Sequence, residues 1–424
     1  MIPNRCRTVL LILASLWWLN PTAALARNAS SPLALSLIGA VTVPSARSAY
    51  PRKNNARASS RPTSQAVLKA GCFQKKSLRC KLWRECKGKK AKACYRLGRL
   101  YQEGKVVKKS VSKALRYYNE ACLLHHGPGC GALGEMYWLG KEVKKDYQKS
   151  FSIFTKACAF RFGKGCRRLG NAYFSAKGVK KDDKKAFSYF VLACQLGDSG
   201  GCSNIGVHYE EGSVVAKDFK KAAHYYQKAC NMKNAIGCSN FAHLAGAGKG
   251  MPKSQKTFIV YIEKACTLDG AFSCYTLSWY YRHGVGVRKS HKKANKLYTK
   301  SCRLQDKFGC YGMATMFMWG TGVPTDQARA ELFLQKACQL GHFTSCLIMA
   351  RRYQHGRHIK KDLQKARQFY QRACTLRARK GCFQTALIYL RGLGTKRDCA
   401  KANRFLRKAC RIGVRKACGM NCKP

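Results

Sequence analysis

GCRRLGNAYFSAKGVKKDDKKAFSYFVLACQLGDSGGC, residues 165–202, decides the reading of the whole chain. It spans one full unit, from Cys166 to Cys202, and holds Cys194 eight residues before the second of these. The same C-x7-C pair recurs every 36 residues, ten times, with first members at 86, 122, 158, 194, 230, 266, 302, 338, 374 and 410. A period of this length means one supersecondary unit stacked on copies of itself, because a single unit cannot bury its own apolar face. The stretch predicts an all-α solenoid with a 36-residue period. Leu169, Gly170 and Tyr173 follow a helical spacing, Gly178 and Lys180-Lys181 interrupt it, and Ala186, Tyr189, Phe190 and Ala193 resume it. Each unit is therefore a helix A, a turn and a helix B.

The columns of the repeat agree. Asp182 stands where helix B begins, and the matching residues are Ser110, Asp146, Asp218, Ser254, Ser290, Asp326, Asp362 and Asp398, all good N-caps. Glycine follows helix A at 104, 140, 212, 248, 284, 320, 356 and 392, the usual left-handed residue after a helix. Ala176 departs from that column. A small column runs Gly98, Gly134, Gly170, Gly206, Ala242, Ser278, Ala314, Ala350, Ala386, and an aromatic one Tyr101, Tyr137, Tyr173, Tyr209, Tyr281, Phe317, Tyr353, Tyr389. They are expected to let helices approach and to fill the space between them.

Of 25 cysteines, 20 lie in the ten pairs, and no C-x-x-C or Cys/His cluster offers a zinc site. Disulfides are expected within each pair: Cys86 with Cys94, Cys122 with Cys130, Cys158 with Cys166, Cys194 with Cys202, Cys230 with Cys238, Cys266 with Cys274, Cys302 with Cys310, Cys338 with Cys346, Cys374 with Cys382 and Cys410 with Cys418. Each joins the end of a helix B to the next helix A across seven residues, and on the chain-entropy account contributes about 2.6 kcal/mol. Arg5 and Arg7 before an apolar run from Val9 to Leu19, then Ala24-Leu25-Ala26, form a secretory signal peptide over 1–26. That run is too short to span a membrane. The expected organisation continues with a disordered basic linker over 27–71, an N-terminal cap over 72–93, nine helix pairs over 94–410 and a C-terminal cap over 411–424. The protein is expected to be exported, periplasmic or secreted, and monomeric.

The KAC of Lys156-Ala157-Cys158, the LG-x-x-Y of Leu169 to Tyr173, the G-x-G-V of Gly284 to Val287 and the KD-x-x-KA of Lys217 to Ala222 resemble Sel1-like repeats. With C-x7-C in every unit, residues 72–424 resemble the Helicobacter cysteine-rich protein family. The resemblance implies a right-handed, TPR-like superhelix and two activities. Members are described as protein-interaction scaffolds, and some are labelled β-lactamases or penicillin-binding proteins. Cys72 with Cys80 and Cys399 with Cys422, outside the period, are expected to staple the end caps.

Serine β-lactamase chemistry would need S-x-x-K beside S-D-N and K-T-G. The two S-x-x-K matches, Ser110 to Lys113 and Ser290 to Lys293, fall in the N-cap column, and neither companion motif occurs. No catalytic residue, metal site or cofactor is assigned. His125, His126, His208, His243, His283, His355 and His358 read as scattered surface histidines.

Charge is the stronger signal: 81 Lys and Arg against 19 Asp and Glu give a formal net charge of +62. Lysine pairs before helix B, Lys108-Lys109, Lys144-Lys145, Lys180-Lys181, Lys220-Lys221 and Lys360-Lys361, predict a basic ridge that attracts anionic polymers. Export, and the commitment of aromatics to the core, argue against nucleic acid. For a protein or peptide ligand the expected site is the concave A-helix face. One A-helix column is irregular, Arg99, Glu135, Asn171, Val207, His243, Trp279, Thr315, Arg351 and Leu387; so is its neighbour, Tyr95, Arg167, Ser203, Tyr275, Tyr311 and Phe383. Packing columns repeat because packing repeats, so a varying column reads as free for recognition. The strongest candidates are Tyr275, Trp279 and Tyr311, followed by Arg99, Asn171, His243 and Arg351.

Overall fold

The N-cap column sets the frame of the computed structural model, which describes residues 77–423. At all nine positions from Ser110 to Asp398 the side-chain oxygen accepts the backbone N–H three residues on, and helix B starts there. The expected signal peptide and linker, with Cys6 and Cys72, lie outside the described residues. Among the described residues nine helix pairs follow one another, with A helices from Ala91–Glu103 to Arg379–Arg391 and B helices from Val111–Leu123 to Cys399–Arg411. Each helix has 13 residues, except Gly163–Phe174 with 12. The caps are fragments of the same unit: Leu78–Lys87 matches the last ten residues of a B helix, and Arg415–Cys418 the first turn of an A helix.

The glycines after helix A all adopt positive φ, between 61° and 74°. Ala176 keeps the left-handed turn at 52° without being glycine. All ten periodic disulfides form, with Cα–Cα distances of 4.4 to 4.9 Å. Cys399 is joined to Cys422, and Cys80 is also disulfide-bonded. The expected seven-residue loop is corrected. The cysteines lie inside the helices, and only three residues, such as Leu124, His125 and His126, link B to A. For the same reason the paired helices begin at Ala91 and end at Arg411 rather than at the bounding cysteines. The middle linker residue always has positive φ, and in seven linkers, including those at His125, Arg161 and Lys233, it is not glycine. Such a residue costs on the order of 1 kcal/mol, and the adjoining crosslink holds the turn closed.

The small column admits rings, but from a column not singled out in the sequence. A Cβ on Gly98, Gly134, Gly170 or Gly206 would lie 2.5 to 2.6 Å from the ring of Tyr118, Phe154, Phe190 or Tyr226, eight residues past the B-helix N-cap. The aromatic column instead stacks on a B-helix ring sixteen residues on. Tyr101 meets Tyr117, Tyr173 meets Tyr189, Tyr209 meets Tyr225 and Phe317 meets Phe333, at 5.7 to 5.8 Å with planes within 10°. Helices that closely approach their second neighbour are A helices, such as Ala271–His283 and Lys307–Trp319, which puts A helices on the inside of the curve. No described helix is long and apolar enough to cross a membrane.

Candidate functional site

The two irregular A-helix columns turn out to be seams between repeats. A residue one past the second cysteine meets the N-cap of the next A helix, 31 positions on. Tyr95 packs on His126 with centroids 5.2 Å apart, and Tyr311 on His342 at 4.5 Å. Arg167 Nε donates to Asp198 Oδ1 at 2.6 Å. Gly131 leaves the space that Phe162 fills, since a Cβ there would lie 2.5 Å from its ring. The other column pairs across 33 residues. Glu135 accepts Arg168 Nε and Nη2 at 2.6 and 3.0 Å, Asn171 accepts Asn204 at 3.3 Å, and Thr315 accepts Arg282 at 2.9 Å. The reading of variation as freedom is corrected for these residues: each varies together with its partner.

The candidates therefore divide. Arg99 donates to Glu103 within its own helix, Asn171 is held by Asn204, and His243 packs edge-on to Phe258 at 5.7 Å. Burial lowers the pKa of His243. Arg351 is exposed. Trp279 is 38% exposed and lies 4.3 Å from the His283 ring. Tyr275 and Tyr311 are half-buried, and burial raises both phenols, Tyr275 to about 12. Tyr275 and Tyr311 adjoin rings that the sequence reading missed. Phe272, Tyr275, Phe308, His342 and Phe343 form a continuous run, with Tyr275 to Phe308 at 5.4 Å and Phe308 to His342 at 5.5 Å. Phe272 is 49% exposed and Phe343 47%. Phe272 and Phe308 stand 36 residues apart, so a comparison of the second residue of each A helix would have found them.

Histidines also needed correction. His208 is buried against Phe187 and Phe190, with Nδ1 2.9 Å from Ser213 Oγ. Neutral Nδ1 atoms of His126 and His342 accept backbone N–H groups as A-helix N-caps. Burial holds the His342 imidazole down at about 4.

On the ridge, Lys108, Lys109, Lys144, Lys145, Lys180, Lys181, Lys360 and Lys361 are exposed and precede helix B. Lys220 and Lys221 do not belong there: they lie in the first turn of Phe219–Asn231, because Asp218 is the cap. Lys221 belongs to a second row, with Thr257 as its one uncharged member, poised over the aromatic column. Lys113 covers Tyr101, Lys149 Tyr137, Lys185 Tyr173, Lys221 Tyr209 and Lys293 Tyr281, at 4.3 to 5.7 Å. Lys185, Lys221, Lys365 and Lys401 also pair with their aspartate caps. The N–H of those same lysines is the main cause holding the Asp182, Asp218, Asp362 and Asp398 carboxyls below their usual range. In both S-x-x-K matches the serine oxygen caps the helix and the lysine lies over a tyrosine.

This arrangement agrees with the comparisons. The Sel1 repeat matches residues 91–126, 128–159, 163–198, 199–234, 271–306, 308–342, 344–377 and 379–414. The unmatched unit is a helix pair as well: Ala245 replaces the A-helix aromatic, and buried Phe258 packs beside Gly246. Among curated proteins none matches the chain. A Sel1 repeat protein from Oxalobacter formigenes is similar in fold, with 20% identity, TM-score 0.53 and coverage of 87% of this chain and 96% of that one. The protective antigen c5321 of uropathogenic Escherichia coli, described as displaying an SLR fold, has 21% identity, TM-score 0.51 and coverage of 80% and 81%. Helicobacter pylori cysteine rich protein B is 33% identical over 32% of this chain and 98% of its own, with TM-score 0.25. With Sel1 repeats over more than half of its length and a disulfide in every unit, the chain belongs to the Sel1 repeat family.

Proposed function

We propose that this protein is an exported, noncatalytic scaffold that binds a protein or peptide segment, or an anionic envelope component, on its A-helix face. The carrying observation is the aromatic run that surfaces at Phe343 and at Phe272, the latter on the helix that also carries Trp279, because Arg99 and Asn171 are already engaged by Glu103 and Asn204. Aromatic anchors in partly buried settings are what binding hot spots use. The ridge supplies long-range attraction, and a formal charge of +62 opposes self-association and favours acidic partners. Disulfides in every unit suit an oxidising compartment, periplasmic or extracellular. We do not adopt β-lactam chemistry, since Ser110 and Ser290 are engaged as helix caps.

A photo-crosslinking residue at Trp279 tests the reading against one at Leu123, which is 64% exposed on a B helix. Capture of one protein or peptide species at position 279 and not at 123 is expected. Equal labelling at both positions would end the proposal.

A further inference from the structure

We propose that the joint between the second and third helix pairs is a binding site for a saccharide bearing sulfate or phosphate groups. The proposal rests on the ridge reading above and narrows it to one place. At each joint the turn before a B helix faces the turn after the next A helix, so equivalent positions can be compared along the solenoid. In the joint before this one, Glu142 occupies the position of Gly178 and forms an ion pair with Lys109, the counterpart of Lys145. In the joint after it, Asp183 stands where Tyr147 does and pairs with Lys181 at 3.0 Å. The middle joint carries neither carboxylate.

What it has is an open concavity of 880 Å³ lined by Lys144, Lys145, Tyr147, Lys149, Gly178 and Lys180, among others. Ligand sites commonly occupy roughly 300 to 1,000 Å³. Gly178 lets its turn close on the start of helix Tyr147–Ala159 and form one wall: its φ is +75°, and a Cβ there would lie 2.2 Å from the Tyr147 carbonyl oxygen. The local carboxylate, Asp146, is engaged as the cap, accepting the Lys149 N–H at 2.9 Å. Among the described residues, none of Lys144, Lys145, Lys149, Lys177 or Lys180 has an ion-pair partner. Rings position three of these ammonium groups without neutralising them. Lys149 lies over Tyr137 at 4.3 Å, Lys177 over Trp138 at 5.2 Å and Tyr147 at 5.4 Å, and Lys145 over Tyr147 at 5.8 Å. Positioned, unpaired cations around one hollow select a ligand with several anionic groups rather than a single ion. Because lysines already cover those ring faces, bases find no stacking platform. A saccharide read through its charged substituents and hydroxyls fits better than a nucleic acid.

The test uses the oxidised full chain and a heparin-derived hexasaccharide in isothermal calorimetry at about 0.15 M salt, where unspecific surface attraction is screened. Inorganic pyrophosphate and a single-stranded oligonucleotide of equal charge serve as further probes. Lys145→Glu with Lys180→Glu should weaken hexasaccharide binding by about tenfold or more. The same charge change at Lys360→Glu with Lys361→Glu should weaken it less than about twofold. Circular dichroism and melting should match wild type in both, since all four side chains are exposed. Equal losses in the two variants would overturn the joint as a site while leaving the ridge reading intact. No hexasaccharide binding by the wild type would overturn both. Tighter binding of the oligonucleotide, or binding of pyrophosphate alone, would overturn the saccharide assignment.

Discussion

Between Glu135 and Asn204 the repeats are joined by ion pairs and amides; between Phe272 and Phe343 the equivalent seam is built mostly from rings, beside the Arg282–Thr315 hydrogen bond. The backbone is the same in both places. What differs is the chemistry placed in one socket, and it differs in both partners at once: Arg167 with Asp198, Tyr311 with His342. A solenoid contacts itself only through neighbouring units, so a local pair can change without disturbing pairs farther along. Variation between repeats therefore marks the seam as readily as it marks a ligand surface. The surface that remains uncovered, rather than the column that varies, is the better guide to binding.

The largest expected effect in breaking this comparison is at His342, which is both ring and cap in the aromatic half. His342→Ala should cost about 3 kcal/mol, combining a lost cap with a lost buried ring. Amide hydrogen exchange across Phe343–His355 is the measurement, with Gly163–Phe174 as the unaffected reference. Acid should give the next largest effect, in the same half. The folded His342 titrates at about 4 against an ordinary 6.5, so the unfolded chain takes up the proton first. Its stabilisation is complete above the ordinary value and is lost as the pH falls through about 4. At pH 5 the loss is about 2 kcal/mol, and exchange should rise at Phe343–His355 before Gly163–Phe174.

The ionic half should respond to salt instead. Glu135→Gln leaves the partly buried Arg168 guanidinium without its charged partner and should cost about 1 kcal/mol. Urea unfolding at low and high salt would show the difference between wild type and variant shrinking as salt rises. Smallest of all should be an exchange of one seam for the other. Arg167→Tyr together with Asp198→His copies the Tyr311 and His342 pair into the ionic half. The double variant should lie within about 1 kcal/mol of wild type, while the costs of the two single changes should add up to more than the cost of the double. Strict additivity would mean that the two columns do not recognise each other.

Much of the architecture was legible because it depends on short-range rules that every unit repeats. Asp182 and its eight counterparts cap helix B because a side-chain oxygen three residues before an N–H reaches it in any unit. The cysteines eight apart could be paired for the same reason. The three-residue linker was not legible, since nothing in Leu124-His125-His126 marks a left-handed turn when no glycine is present. Nor was the displacement of Lys220 and Lys221 from the ridge, although Asp218 as cap places them in the helix.

The sequence by itself determined the repeat, its helix boundaries to within a few residues, the periodic crosslinks and the sign of the surface. Each of these follows from spacing along the chain or from counting charge. Tertiary structure alone decided which variable residues are consumed between repeats, which lysines are held over rings and which stand unpaired, and where the aromatic run reaches the surface. Those depend on partners about 16 to 33 residues away, brought together by the rise and turn of the solenoid, and spacing within one unit holds no record of them.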